Sequence, residues 1–342
     1  MSWFQRLTGF REVSYKETQS LLEVQGDRLA SRVNGKSYGI GSFELVSLAE
    51  LRKRALSGPD LPGCLRMSVI HGDVRSLHGQ PEFAGALFQV ASQFNMLEMT
   101  SPDVCPEDGV TRYMFDPTQG PACAIAAGAA TLYRNFFVPV RDQIGQTSKL
   151  QLDGLSDLGT VLSGLLETPV SNLWQMRNGY ANCSATGLRK LSGLLKGLGE
   201  AELDELRGLL QIGVHRGVEV TDSECSPGPV VSQAFCSALP VAYSEHKQAP
   251  WEPFASLILE AAYEATMWEA VCNAQAGASN VVVLTRLGGG AFGNQGARID
   301  AAMQRALGLV SNYGLDVRLV TYKSPLKYPD LVNSILRFGA FA

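Results

Sequence analysis

The chain has 342 residues, 45% of them hydrophobic and 18% charged, with a formal net charge of −4. That length holds one large domain or two ordinary ones with a sizeable core. The charge excludes a global basic face for nucleic acid or an anionic membrane, so an anionic ligand needs a local device such as backbone N–H groups.

The first residues, MSWFQRLTGFREVSYKE, are too charged for a signal peptide, and no long apolar run predicts a transmembrane helix. Residues 1–60 read as an N-terminal extension. Within it, 37–47 form a Gly-broken loop or short strand, and 47–56 a helix with a serine N-cap, a following glutamate and an apolar face. The breaker cluster at 57–63 ends that element. Cys64–His71 reads as a strand followed by Gly72-Asp73, and Leu87–Asn95 as a second strand ending in polar residues. The acidic, Pro- and Gly-bearing stretch 101–121 is a long loop, and the alanine-rich segment Ala122–Phe137 a buried helix.

Leucines 188, 191, 195, 198, 203, 206 and 210 recur at helical spacing, marking 150–215 as a helical insert. Segments 218–221 and 231–243 are strand-like. Phe254, Leu257, Ile258, Ala261, Ala265 and Trp268 form one helical stripe. Strand 280–285, helix 297–311 and strand 316–322 complete a β/α alternation. The expected fold is α/β, a three-layer α/β/α mixed sheet over residues 61–342, with the N-terminal extension and helical insert added.

The stretch LTRLGGGAFGN (284–294) sits where a strand hands over to a helix. It lacks the Lys and Ser/Thr of a Walker loop and departs from GxGxxG. What it offers is backbone without Cβ bulk, able to form an anion-binding nest, and a plain connection fits the same spacing equally. Asp73 after its strand and glycine caps the next element or accepts from a ligand amine. Asn95 and Glu98 lie just past a buried strand, at the edge where open α/β sheets bind ligands. Asp103, Glu107, Asp108 and Asp116 precede Thr118-Gln-Gly-Pro121 and the next helix; they are solvated helix-start acids or the carboxylates of a glycosidic cleavage. Seven cysteines without a CxxC, and four histidines without ligand spacing, predict reduced thiols and no metal or cofactor.

In chain order these pieces resemble the macrodomain superfamily, which binds ADP-ribose and includes poly(ADP-ribose) glycohydrolases. The matching stretches are HGDV (71–74), ASQFN (91–95), TQGPACAIAAGAATLYR (118–134) and GGGAFGN (288–294), the last close to the GCGAFGG-type loop of the glycohydrolases. The likeness covers 64–100, 115–137 and 230–322. It implies a macrodomain-like fold in which Asp73, with Val74, reads the adenine amine, and Asn95, with Glu98 nearby, the distal ribose. Thr118, Gln119, Gly120, Ala122 and Cys123 would hold the diphosphate from one side. Gly288, Gly289, Gly290, Ala291, Gly293 and Asn294 would hold it from the other, with Phe292 beside the ribose. Ala122 stands where one branch carries an acid, and the glycohydrolase order of GGG followed by QEE is absent. The likeness is nearest to hydrolases that remove mono-ADP-ribose from arginine. It therefore implies Asp116, foremost, with Asp108 and Asp103 as catalytic acids and an ADP-ribosylated protein as substrate; the charge and the apolar runs predict no nucleic acid or membrane partner, and the cysteines a cytoplasmic location. A non-catalytic ADP-ribose-binding module, or an α/β enzyme acting on another nucleotide or sugar phosphate, are the rival readings.

Overall fold

Residues 1–246 and 249–322 are described by the computed structural model. The elements that carry the argument are, in chain order, β1 (Ser42–Ser47), α1 (Leu48–Ser57), β2 (Arg66–His71), α2 (Val74–His78) and β3 (Leu87–Ala91). There follow α3 (Gln119–Ala126), α4 (Gly128–Phe136), α5 (Ser156–Leu165), α6 (Ala185–Gly197) and α7 (Glu200–Gly208). The chain continues with β4 (Gln211–Glu219), β5 (Val230–Cys236), α8 (Glu252–Gln275), β6 (Val281–Leu284), α9 (Gly296–Leu309) and β7 (Asp316–Thr321).

The seven strands form one mixed sheet in the order β1-β4-β5-β3-β6-β7-β2. β4 runs antiparallel to both β1 and β5, and every other neighbouring pair is parallel. Strand periodicity sorts the side chains into two cores. Leu87, Ala234, Cys236, Val282 and Leu284 face a core closed by α1, α8 and α9. Phe88, Val90, Phe235, Val281 and Val283 face the opposite one, closed by α2, α3 and α4. The result is the expected α/β/α layering.

Four local expectations are revised. Residues 42–57 do not stand apart as an extension: β1 is an edge strand of the main sheet, and α1, capped by the Ser47 hydroxyl on Glu50 N–H, packs on α8. Ahead of them, Trp3, Phe4, Leu7, Leu22 and Leu29 cover Ile125, Ala129 and Leu132, apolar residues that need a lid. The helix expected over 122–137 is broken at Ala127 (φ −109°, ψ 59°). There Ala126 O accepts from Thr221 and Asp222 N–H, while the Thr221 hydroxyl accepts from Gly128 N–H, so the end of β4 satisfies the interrupted turn. The strand expected over 87–95 stops at Ala91. The 101–121 loop holds two 3-10 segments, Pro106–Asp108 and Thr111–Phe115.

The insert is helical in α5–α7 but also carries a hairpin, Trp174–Arg177 against Tyr180–Cys183, and its last residues, 211–215, open β4. The hairpin turns at Asn178-Gly179, both with positive φ (47° and 78°), the geometry an Asn-Gly turn favours. Residues 323–342, the end of the expected domain, lie outside the described residues.

Candidate functional site

Strands β3 and β6 pair only through Leu87–Val282 and Phe88–Val283. Beyond that point the ladder is continued by a side chain: Gln119 Oε1 accepts from Ala91 N–H (2.8 Å), and Gln119 Nε2 donates to Gln89 O (2.8 Å). This clasp presses the start of α3 onto the carboxyl end of β3. A Cβ on Gly120 would stand 2.0 Å from Ala91 O, so only glycine permits the approach. A crevice opens at the carboxyl ends of the parallel strands. The helices after β3 lie on one face, whereas those after β5 and β6 lie on the other, and such a switch point is where α/β sheets take ligands.

The facing wall is the glycine loop. Tyr263 Oη anchors its base, donating to Thr285 O (2.7 Å) and accepting from Leu287 N–H (2.8 Å). Gly288 takes a positive φ (71°). Asn294 N–H returns to Gly288 O (2.9 Å), and its side-chain amide donates to Leu239 O (2.9 Å). The N–H groups of Gly290, Ala291 and Phe292 donate to no protein acceptor among the described residues. These three residues line the crevice, as do Gln119 and Gly120 at the start of α3, whose first N–H groups helix geometry leaves without intrahelical partners.

The crevice holds about 150 Å³ and narrows against an aromatic wall. Tyr180, Tyr243 and Phe292 pack edge-to-face or tilted, with ring centroids 5.4–5.8 Å apart. Tyr180 comes from the insert hairpin and is held by its hydroxyl donating to Met99 O (2.8 Å). The insert therefore builds one side of the cleft.

Two carboxylates line it. Asp116 is half-buried; its Oδ1 accepts from Thr118 N–H (2.9 Å) and Thr118 Oγ1–H (2.6 Å), bracing the entry to α3. Glu98 is fully buried. Its Oε1 accepts from Arg134 (2.9 Å), while Oε2 has no hydrogen-bond partner among the described residues. Burial pushes the Glu98 carboxyl up to about 7, and the Arg134 guanidinium opposes that rise without cancelling it. Arg134 in turn lies 3.8 Å over the Phe235 ring and keeps its charge as a guanidinium. Buried beside it, His215 is driven well below its ordinary range by burial and by the Arg134 charge, and stays neutral.

Of the residues expected at the site, Glu98, Asp116, Thr118, Gln119, Gly120, Gly288, Gly290, Ala291 and Phe292 line the cleft. The others lie outside its lining. Asp73 caps α2 through Arg75 N–H (3.0 Å), and Val74 packs in the core. Asn95 is buried, accepting from Leu97 N–H and donating to Gln151. Ala122 and Cys123 face the core beneath α3. Gly289, Gly293 and Asn294 shape the loop from behind: Gly289 and Asn294 through internal hydrogen bonds, Gly293 (φ 69°) through a turn against Ala242. Asp103 is exposed and paired with Arg177 (2.5 Å), and Asp108 accepts from Cys105 N–H (2.9 Å) as a cap. Sequence reasoning missed Gln93, Met99, Tyr180, Tyr243, Thr285 and Arg286, all in the lining. The one available signal was Asn178-Gly179, a hairpin turn that delivers Tyr180. No cluster of three or more His, Cys, Asp or Glu able to hold a metal occurs among the described residues, and no helix there is long and apolar enough to cross a membrane.

No protein-family model matches the chain, and no curated protein does. Solved structures do resemble it at low identity. Poly(ADP-ribose) glycohydrolase from Deinococcus radiodurans in complex with ADP-ribose is 10% identical over 87% of this chain and 93% of its own, with a TM-score of 0.44. The enzyme of the same name from Thermomonospora curvata is 12% identical over 95% and 97%, with a TM-score of 0.44. Its complex with the inhibitor ADP-HPD covers 94% and 97% at 12% identity, with a TM-score of 0.42. Identities and scores this low carry no functional assignment; the reading below rests on the cleft itself.

Proposed function

We propose that this protein is an ADP-ribosyl hydrolase that removes mono-ADP-ribose from protein arginine. The observation that carries the reading is that the helix start Gln119-Gly120 and the loop Gly290–Phe292, the latter with N–H groups that find no acceptor among the described residues, line one crevice with an aromatic wall and two carboxylates. Backbone N–H groups and a helix start suit a diphosphate in a protein with no basic surplus. The aromatic rings suit the ribose and adenine faces.

Hydrolysis adds water across the bond from the anomeric carbon to the guanidine nitrogen. Water oxygen bonds to carbon, the C–N electron pair leaves with nitrogen, and the two water protons end on the new hydroxyl and the departing guanidine. Asp116 accepts the proton of the attacking water and steadies the oxocarbenium-like state. Glu98, holding its proton near neutral pH, donates toward the leaving group, and Arg134 positions it. Incubation with an ADP-ribosylated arginine peptide, with free ADP-ribose measured, tests the reading. Release by wild type and its loss in Asp116→Asn with ADP-ribose binding retained is the expected result; full activity of Asp116→Asn removes that assignment.

A second reading, a module that binds ADP-ribose without cleaving it, is favoured by one observation. Both bonds to Asp116 come from Thr118, as in a purely structural helix entry. Tight ADP-ribose binding with no release from any conjugate would select it.

A further inference from the structure

Glu98 sits in a segment, Ser92–Met99, that is buried throughout yet belongs to no helix or strand. A buried loop must find partners for its backbone, and here two of its own side chains supply them on either side of Glu98. Asn95 Oδ1 accepts from Leu97 N–H (3.1 Å), and Gln93 Oε1 accepts from Met99 N–H (2.5 Å). Met96 takes a left-handed backbone (φ 61°), uncommon for a residue with a side chain and kept only where the surroundings impose it. Its carbonyl accepts from Arg134 Nε (3.1 Å), on the guanidinium that also serves Glu98.

Asn95 and Gln93 are themselves held from the insert. Asn178 Oδ1 accepts from Gln151 Nε2 (3.0 Å), whose Oε1 accepts from the Asn95 amide (2.9 Å). Asn178 Nδ2 donates to Pro102 O (2.8 Å), on the other side of Glu98 in the chain. Gly179 O accepts from Phe94 N–H (3.0 Å). A Cβ on Gly179 would lie 2.5 Å from Asn95 Oδ1 and 2.6 Å from Gln93 Cβ, so the turn presses on the two side chains that hold Leu97 and Met99. Neither Asn178 nor Gly179 lines the cleft. We infer that the Asn178-Gly179 turn positions Glu98: it fixes the loop that holds the carboxyl in the cleft lining, and acts on the reaction without touching the ligand. The inference rests on the hydrolase reading, in which Glu98 donates the proton. Arg134 on α4, Tyr113 from the loop before α3 and Cys123 on α3 face the carboxyl, all fully buried. Burial, then the charge of Glu98, keeps the phenol and the thiol protonated, which leaves the guanidinium as the charge that Glu98 meets.

The test uses Asn178→Gly, which keeps the positive φ of the turn and removes its side-chain bonds, and Gly179→Ala, which pushes on Asn95 and Gln93. Thermal melts check folding, and ADP-ribose affinity is measured in parallel. On an ADP-ribosylated arginine peptide each variant should lower kcat about tenfold or more, with ADP-ribose affinity within about twofold of wild type. In a Glu98→Gln background the same substitutions should change kcat by less than about twofold, because the group they position is gone. NMR of labelled glutamate carboxyls, which needs no turnover, should find the Glu98 titration lowered from about 7 in each variant as water reaches the loosened loop. An equal fall in both backgrounds, an unchanged kcat, or a Glu98 titration that stays at the wild-type value overturns the proposal. Wild-type protein that binds ADP-ribose without releasing it removes the hydrolase reading instead, and the titration then still decides whether the turn holds Glu98.

Discussion

Glu98, in the lining of the cleft, accepts from Arg134 at 2.9 Å, and both side chains are fully buried. Only Oε1 of the carboxyl is engaged, and burial outweighs the arginine in setting the proton affinity of the group. The consequence is a carboxyl that holds a proton near neutrality.

Its linkage to stability has a definite sign. The folded-state value, raised from 4.5 to about 7, means that the native protein keeps a proton the unfolded chain releases between those values. Stability is therefore highest below the unfolded value and falls as pH rises through the folded one, by on the order of 3 kcal/mol across the window. In Glu98→Gln that contribution is absent, so the difference in unfolding free energy between wild type and variant should change across this pH window and level off above it. A constant difference, followed by denaturant melts at a series of pH values, would show that Glu98 titrates normally.

If Glu98 donates the proton to the leaving group, the reaction has an alkaline limb. Release of ADP-ribose by wild type should decline as pH passes about 7, while Glu98→Gln is slow at every pH and lacks that limb. The profile of kcat/KM against pH decides this.

Among the acids of the 99–121 loop, only Asp116 reaches the cleft. Asp116→Asn should lower kcat at least a hundredfold with little effect on ADP-ribose affinity. Asp103→Asn and Asp108→Asn, one an exposed partner of Arg177 and the other a local cap, should each leave kcat within twofold.

The glycine loop separates conformation from ligand space. At Gly288, a positive φ and a Cβ that would lie 2.6 Å from Ala238 Cβ make alanine cost about 1–3 kcal/mol of stability. Nothing stands within 4 Å of a Cβ on Gly290, so Gly290→Val should fold within about 0.5 kcal/mol of wild type. If its N–H row holds the diphosphate, the same variant should lose at least tenfold in ADP-ribose affinity by calorimetry. Unchanged affinity would take the loop out of the binding site.

Glu264 joins the insert to the body of the fold. It accepts from Arg52 (2.5 Å) and from Arg305, both of which also grip Asp204 on α7. Burial alone would raise this carboxyl, but the two arginines outweigh it and hold it below the ordinary range. Glu264→Ala removes the buried acceptor that the two guanidinium groups share, leaves them Asp204, and should destabilise by about 1.5–3 kcal/mol in urea melts, with ADP-ribose affinity unchanged.

Much of the framework is legible from local pattern. Ser47 with Glu50, the stripe of Phe254 to Trp268, and the run Val281–Leu284 each encode an element through capping or periodicity, which depend on neighbours in sequence. The glycine loop and Thr118-Gln119-Gly120 are legible for the same reason, since a strand-to-helix handover has its own residue chemistry. The acids were ambiguous because Asp103, Asp108 and Asp116 are alike in composition and differ only in what folds around them.

The sequence by itself determined the α/β alternation, a glycine loop between a strand and a helix, and the set of candidate carboxylates. Tertiary structure alone decided which of those carboxylates meets the glycine loop, that Tyr180 from the insert walls the cleft, and that Asn95 and Asp73 are spent on internal hydrogen bonds. The reason is physical. Strand and helix periodicities are fixed by backbone geometry over a few residues, whereas a cleft and the proton affinity of Glu98 arise from burial and charge supplied by segments far apart in the chain.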